Sequence, residues 1–207
     1  MYLQNLMWLW SIMKLDDLFY QRSDVVRIAR DLLGKGLFTQ ENGVMTGGVI
    51  VETEAYSYTE QGCHAYQNRM TRRNKVMFGE GGHAYVYLCY GIHNLFNVVT
   101  NREGKADAVL IRALEPIKGI ELMISRLNVK NKTRITSGPG NLTRALGIDR
   151  RLNGVRLGSN CLWIEDLGWP IRKSEITSSQ RIGIDYAGED ALLPWRFTLK
   201  NSQWISK

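Results

Sequence analysis

The sequence predicts an α+β fold: a single domain built round a largely antiparallel sheet, with helices outside it. Three observations carry this expectation. Asn42-Gly43 lies between two extended segments and is a strong two-residue hairpin signal. A second hairpin is written in HAYVYLCY and NLFNVVT, spanning residues 83–100, which are rich in aromatic and β-branched side chains and separated by a turn around Gly91. Helical periodicity appears only in short stretches beyond these hairpins, so the helices pack around the sheet.

Taken in order, Ser23 is expected to cap a helix reaching about Leu33, with Val25, Val26, Ile28, Ala29, Leu32 and Leu33 as its apolar stripe and Gly34 as its end. Residues 36–39 read as extended, and the return strand of the first hairpin runs from about Thr46 to Tyr56. After the second hairpin, AVLIRAL at 108–114 is another strand. Pro116 is then expected to open a helix that places Ile117, Ile120, Met123 and Ile124 on one side. Residues 128–136 are polar and basic, and read as a loop. Residues 141–146 suggest a short helix closed by Gly147, and strands recur at CLWIED (161–166) and RIGIDY (181–186) before PWRFTL (194–199).

The totals bound the function. A chain of 207 residues with 44% hydrophobic and 23% charged residues suits one soluble domain and excludes disorder throughout. Lys and Arg outnumber Asp and Glu by 27 to 20, for a formal charge of +7. That excess fits a polyanionic partner and equally a solvated basic surface. Cys63, Cys89 and Cys161 are odd in number and lack CxxC spacing, which argues against a disulfide framework or structural zinc. Cys63, His64, His83 and His93 show no ligand spacing, so no metal is expected. The apolar residues 1–12 lack a basic opening and a cleavage site and are too short to span a bilayer, so they are treated as a candidate N-terminal extension, with the domain running from residue 13 to residue 207.

Two segments stand out chemically. In VETEAY, strand alternation puts Glu52, Glu54 and Tyr56 on one face and Val51, Thr53 and Ala55 on the other. Two carboxylates on one face of a central strand point to chemistry; paired at a solvated edge they would be salt bridges. In the second hairpin Tyr85 reads as core, whereas Tyr90 beside Gly91 is set at the tip, where it can project into a base stack. Between the hairpins, NRMTRRNK supplies Arg69, Arg72, Arg73 and Lys75, a footprint for a nucleic-acid backbone or a solvent-facing run of cations.

Together these residues resemble a known family. The order ARDLLGKGL, VETEAY, CHAY, RNKVMFG, HAYVYLCYGIHNLFNVV, LIRALEP, SGPGNLTRALGI, RIGIDYAG and PWRF is similar to the alkyladenine (3-methyladenine) DNA glycosylases built on a curved antiparallel sheet, and it covers most of the chain. The resemblance implies a DNA repair enzyme that flips damaged purines out of duplex DNA. Glu54 would position and activate the attacking water, with Arg112 beside the water and the nucleotide. Tyr56, His64 and Tyr87 would hold the flipped base, Asn97 would wall the pocket against guanine-type bases, and Tyr90 would intercalate. The cationic loop of Arg69, Arg72, Arg73 and Lys75 would meet the DNA backbone. No cofactor or metal is implied, and water as nucleophile means no strand nicking. A monomer in a bacterial cytoplasm, on the chromosome, would suit the family. Arg72 stands where many members carry proline, Gly81-Gly82 where many carry Pro-Gly, and Ile92 and His93 fall at variable turn positions.

Two other readings compete. A non-catalytic nucleic-acid-binding domain would keep the aromatic and basic surface but has no use for an unpaired Glu54. An acyl or formyl transferase on a similar sheet gives no reason for Tyr90 at a hairpin tip.

Overall fold

The computed structural model describes residues 13–129 and 134–206; the candidate extension, residues 1–12, and residues 130–133 of the expected basic loop lie outside them. Strands β1 (Met13–Lys14), β2 (Gly36–Glu41), β3 (Val44–Tyr56), β4 (Ala84–Cys89), β5 (His93–Thr100), β6 (Asp107–Lys118), β7 (Leu162–Asp166), β8 (Ile176–Ser179) and β9 (Arg196–Leu199) form one antiparallel sheet curled into a half-barrel. Helices α1 (Asp17–Tyr20), α2 (Val25–Asp31), α3 (Ile120–Leu127) and α4 (Pro139–Leu146) lie outside it, so the expected α+β class holds. Among the described residues no helix is long and apolar enough to cross a membrane.

The longest strand, β3, organises the sheet. One side pairs with β6 from Gly47 to Tyr56; the other pairs with β2 as far as Val49 and then with β9 from Glu52 to Glu54. The chain order across the sheet is β1-β7-β2-β3-β6-β5-β4. Both hairpins form as their turn residues require. Asn42 and Gly43 have φ of 51° and 78°, the paired positive values of a type I′ turn, and Tyr90 and Gly91 have 49° and 76°.

The pleat sorts the sheet into two faces. Ala84 and Val86 of β4, Phe96 and Val98 of β5, and Val109 and Ile111 of β6 point into the main core with residues of α2, α3 and α4. Their alternates, Tyr85, Val99 and Ala108, join Cys63, Ala65, Met77 and Phe78 in a smaller cluster on the opposite face. On β3, Thr53 Oγ1 donates to the Ala29 carbonyl of α2 at 2.8 Å, which leaves Glu52 and Glu54 on the other side.

Four local expectations are corrected. Helix α2, the one expected to start at Ser23, is capped by Asp24, whose carboxylate accepts from the Arg27 N–H; it ends at Asp31 with Leu32 as C-cap. Pro116 opens no helix: β6 runs on to Lys118 with Pro116 opposite Gly48 at a register shift, where its missing N–H is tolerated. The helix starts at Ile120 after Gly119 (φ 72°), so Ile117 stays exposed while Met123 is buried. RIGIDY is not a strand: Arg181–Gly183 is irregular and a 3-10 segment begins at Asp185, because this stretch is held by side-chain bonds to β3 rather than by a ladder. The strand that precedes it, β8, is polar and half exposed and carries no apolar alternation to reveal it.

Candidate active site

On the sheet face opposite the main core lies a cavity of about 640 Å³. The pleat supplies its walls: Tyr85 and Tyr87 from β4, Leu95 and Asn97 from β5, Ala108, Leu110 and Arg112 from β6, and Tyr56 from β3. Loops close the rim, with His64, Arg73, the Gly138–Asn141 start of α4, and Ile182–Ile184 and Tyr186. Tyr90 stands at the lip, 88% exposed on the hairpin tip.

Behind the wall both glutamates are fully buried, which rules out the solvated-edge account of the pair. Arg112 joins them, its Nε donating to Glu52 Oε1 at 3.0 Å and its Nη1 to Glu54 Oε2 at 3.1 Å. The reach depends on irregular pairing. Ile50 faces Leu114, Glu52 faces Ala113 and Thr53 faces Ile111, so Val51 and then Arg112 are extra residues in their strands. Bulges of this kind re-aim a side chain, here turning Arg112 between the two carboxylates. The glutamates then differ. Glu52 also accepts from Arg196 Nε (2.7 Å), the Ser206 N–H (2.6 Å) and Ser206 Oγ (2.7 Å), and of its partners only Arg112 lines the cavity. Glu54 accepts from the Tyr56 hydroxyl (2.8 Å) and the Ile182 N–H (2.8 Å), so its three partners all line the cavity. Glu54 is therefore not the unpaired carboxylate that the sequence suggested.

The aromatic groups are tuned by burial. Desolvation, reinforced by the Glu54 charge, holds the Tyr56 phenol well above its ordinary pKa, so the hydroxyl keeps its proton and donates. Behind the Tyr56 ring the Arg181 guanidinium lies 4.7 Å from the centroid, bound twice by Glu60 at 2.7 and 2.8 Å. His64 Nδ1 meets the Tyr85 hydroxyl at 2.9 Å, and its ring stands edge-on to Tyr87 at 4.6 Å between centroids. Although His64 as a residue is solvent-exposed, desolvation of its imidazole and the neighbouring Arg73 charge lower its pKa to about 4. Burial pushes the Cys63 thiol up to about 12, and the His64 ring is engaged elsewhere, which leaves Cys63 a packing group.

The model of methylpurine-DNA glycosylases matches residues 18–203. The chain belongs to that family. Among its relatives, a protein of Carboxydothermus hydrogenoformans is 50% identical over 190 residues, 91% of this chain and 96% of the relative. One from Methanocella arvoryzae is 50% identical over 192 residues, 91% and 94% of the two chains. One from Natranaerobius thermophilus is 43% identical over 198 residues, 94% and 99%. Each bears the name "Putative 3-methyladenine DNA glycosylase".

Within this methylpurine-DNA glycosylase fold, Tyr56, His64, Tyr87, Asn97 and Arg112 line one cavity, Glu54 lies directly behind it and Tyr90 marks its lip. The four expected backbone cations do not stay together. All four are exposed, but Arg69, Arg72 and Lys75 lie outside the cavity lining, whereas Arg73 lines it with its guanidinium carbon 4.7 Å from the Tyr87 ring centroid. Sequence reasoning missed the Glu60–Arg181 pair, the Ile182 N–H on Glu54, Tyr186 at the rim, and Asn74. The buried Asn74 amide donates to the His64 and Arg69 carbonyls and accepts from Thr71, stapling the basic loop to the cavity. A polar residue inside a cationic run was the available signal for Asn74; for a main-chain N–H such as that of Ile182 there is none.

Proposed function

We propose that this chain is a monofunctional glycosylase that turns alkylated purines, 3-methyladenine and related lesions, out of duplex DNA into the cavity and hydrolyses the N-glycosidic bond, leaving an abasic site. The observation that carries this reading is the placement of Glu54, a carboxylate with three fixed donors immediately behind a cavity walled by Tyr56, His64 and Tyr87. Oε2 is taken by Tyr56 and Arg112, while Oε1 holds only the Ile182 N–H. That leaves Oε1 one acceptor position for a water molecule.

As the C1′–N9 bond of a flipped nucleotide stretches, its electron pair passes to the purine and positive charge grows on the sugar, where the Glu54 carboxylate stabilises it. Water bonds to C1′ and gives its proton to Glu54. An N-alkylated base is cationic before cleavage and departs neutral, which makes it a good leaving group. Extrusion costs a few kcal/mol, and Tyr90, held out from the sheet, is placed to fill the gap in the stack. Arg69, Arg72 and Lys75 are free to meet phosphates. Among the described residues no lysine lines the cavity, in keeping with water as the nucleophile, and one chain supplies every group invoked, in keeping with a monomer.

The test is release of free base from dimethyl-sulfate-treated duplex DNA. Release of 3-methyladenine is the expected result; salt-sensitive binding with no release would reduce the protein to a nucleic-acid-binding domain.

A further inference from the structure

We propose, resting on the function above, that Arg73 is a specificity-determining residue of the cavity, one that favours uncharged purines which leave as anions over purines that are already cationic.

The argument begins with charge. Among the described residues that line the cavity, only Arg73 and Arg112 carry a formal charge beside the histidines. Arg112 is neutralised by Glu52 and Glu54 at 3.0 and 3.1 Å. Among the described residues no carboxylate pairs with Arg73, so its charge stands uncompensated at the cavity wall. His64 adds nothing to it, since its imidazole is kept neutral at physiological pH.

Geometry holds Arg73 there. Its guanidinium lies over the Tyr87 ring, 4.7 Å from the centroid, with a long contact of 3.5 Å from Nη2 to the Leu88 carbonyl. Asn74, next in the chain, fixes the backbone through four hydrogen bonds, two donated to the His64 and Arg69 carbonyls and two accepted from Thr71. Arg73, itself solvent-exposed, thus belongs to the surface that a base on Tyr87 would meet, whereas Arg69 and Arg72 lie outside the cavity lining.

A purine alkylated on a ring nitrogen enters this field as a like charge, and its binding is weakened on the order of tenfold for a partly solvated guanidinium. An uncharged lesion such as hypoxanthine behaves oppositely. Water bonds to C1′ and passes a proton to Glu54; the C1′–N9 pair stays on the base, which leaves as an anion and takes a proton from solvent. Negative charge develops on the purine as the bond breaks, and the Arg73 guanidinium stabilises it, also on the order of tenfold.

The experiment is single-turnover base release from two duplexes, one holding a single hypoxanthine and one a single 7-methylguanine, by wild type, Arg73→Met and Arg73→Lys. Affinity for an abasic-analogue duplex is followed against salt in parallel, and thermal melting confirms that each variant is folded. Arg73→Met should lower the hypoxanthine rate about tenfold and leave the 7-methylguanine rate equal or higher, with the salt slope unchanged. Arg73→Lys, keeping the charge, should hold the ratio of the two rates within about threefold of wild type. Equal loss on both duplexes, with a salt slope reduced by about one, would make Arg73 a phosphate contact and overturn the proposal. Release of neither base by wild type would overturn this assignment alone; the glycosylase reading is decided separately, by release of 3-methyladenine from dimethyl-sulfate-treated DNA.

Discussion

Ile182 donates its main-chain N–H to Glu54 Oε1 at 2.8 Å across 128 residues of sequence. The bond fixes the carboxylate from the side opposite Tyr56 and Arg112, so Glu54 has a single orientation before any substrate arrives. Preorganisation of this kind is where a catalytic carboxylate gains most of its effect.

Glu54→Gln keeps the volume and much of the hydrogen bonding but cannot take a proton from water. Base release should fall at least about 100-fold while affinity for an abasic-analogue duplex stays nearly intact. Parallel measurement of the two decides it; equal loss of both would make Glu54 structural.

Tyr56→Phe removes the hydroxyl that donates to Glu54 at 2.8 Å and leaves the ring over Arg181. A hydrogen bond to a carboxylate contributes about 1.5–3 kcal/mol, so the single-turnover rate should drop roughly tenfold or more. Rapid-quench assays would show this; an unchanged rate would mean that Arg112 and Ile182 suffice to orient Glu54.

His64 should titrate near 4 by NMR, well below the usual 6.5. Because the unfolded chain binds a proton at His64 below about 6.5 and the native state only near 4, native stability from this group is complete above 6.5 and is lost as pH falls between those values. Denaturation profiles of wild type and His64→Gln should therefore diverge only on that acid limb. A titration near 6.5 would contradict the assignment.

Tyr90→Ala should leave the thermal midpoint unchanged, since the side chain is 88% exposed, yet weaken capture of an abasic-analogue duplex more than binding to undamaged DNA. Equal affinity of wild type and variant for the abasic duplex would dispose of the wedge.

Glu60→Ala strands Arg181 in the interior, where the two side chains are 3% and 0% exposed. Removing one partner of a buried pair costs about 3–5 kcal/mol, which urea unfolding would register directly. A loss below about 1 kcal/mol would mean that water reaches the guanidinium.

What could be read beforehand follows from where the physics is local. Asn42-Gly43 and the alternation of VETEAY are local, and both hairpins and the shared face of Glu52 and Glu54 appear as expected. Arg112 was picked out by resemblance, but its position between two carboxylates depends on bulges in β3 and β6 that no single strand announces. Pro116 misled because proline at a helix start and proline at a bulge look alike in sequence. Arg73 sat in a run of cations that composition alone could not divide; the Asn74 staple and the Tyr87 ring divide it.

The left-handed pair Tyr90 and Gly91 has a further consequence for how such a protein searches. On the wedge reading proposed above, a tip that already holds this turn in the folded chain would pay its ordering entropy when the chain folds, not at each encounter with DNA. Inspection of a base step would then need no rearrangement of the finger, and its tempo would be set by how often the duplex itself opens.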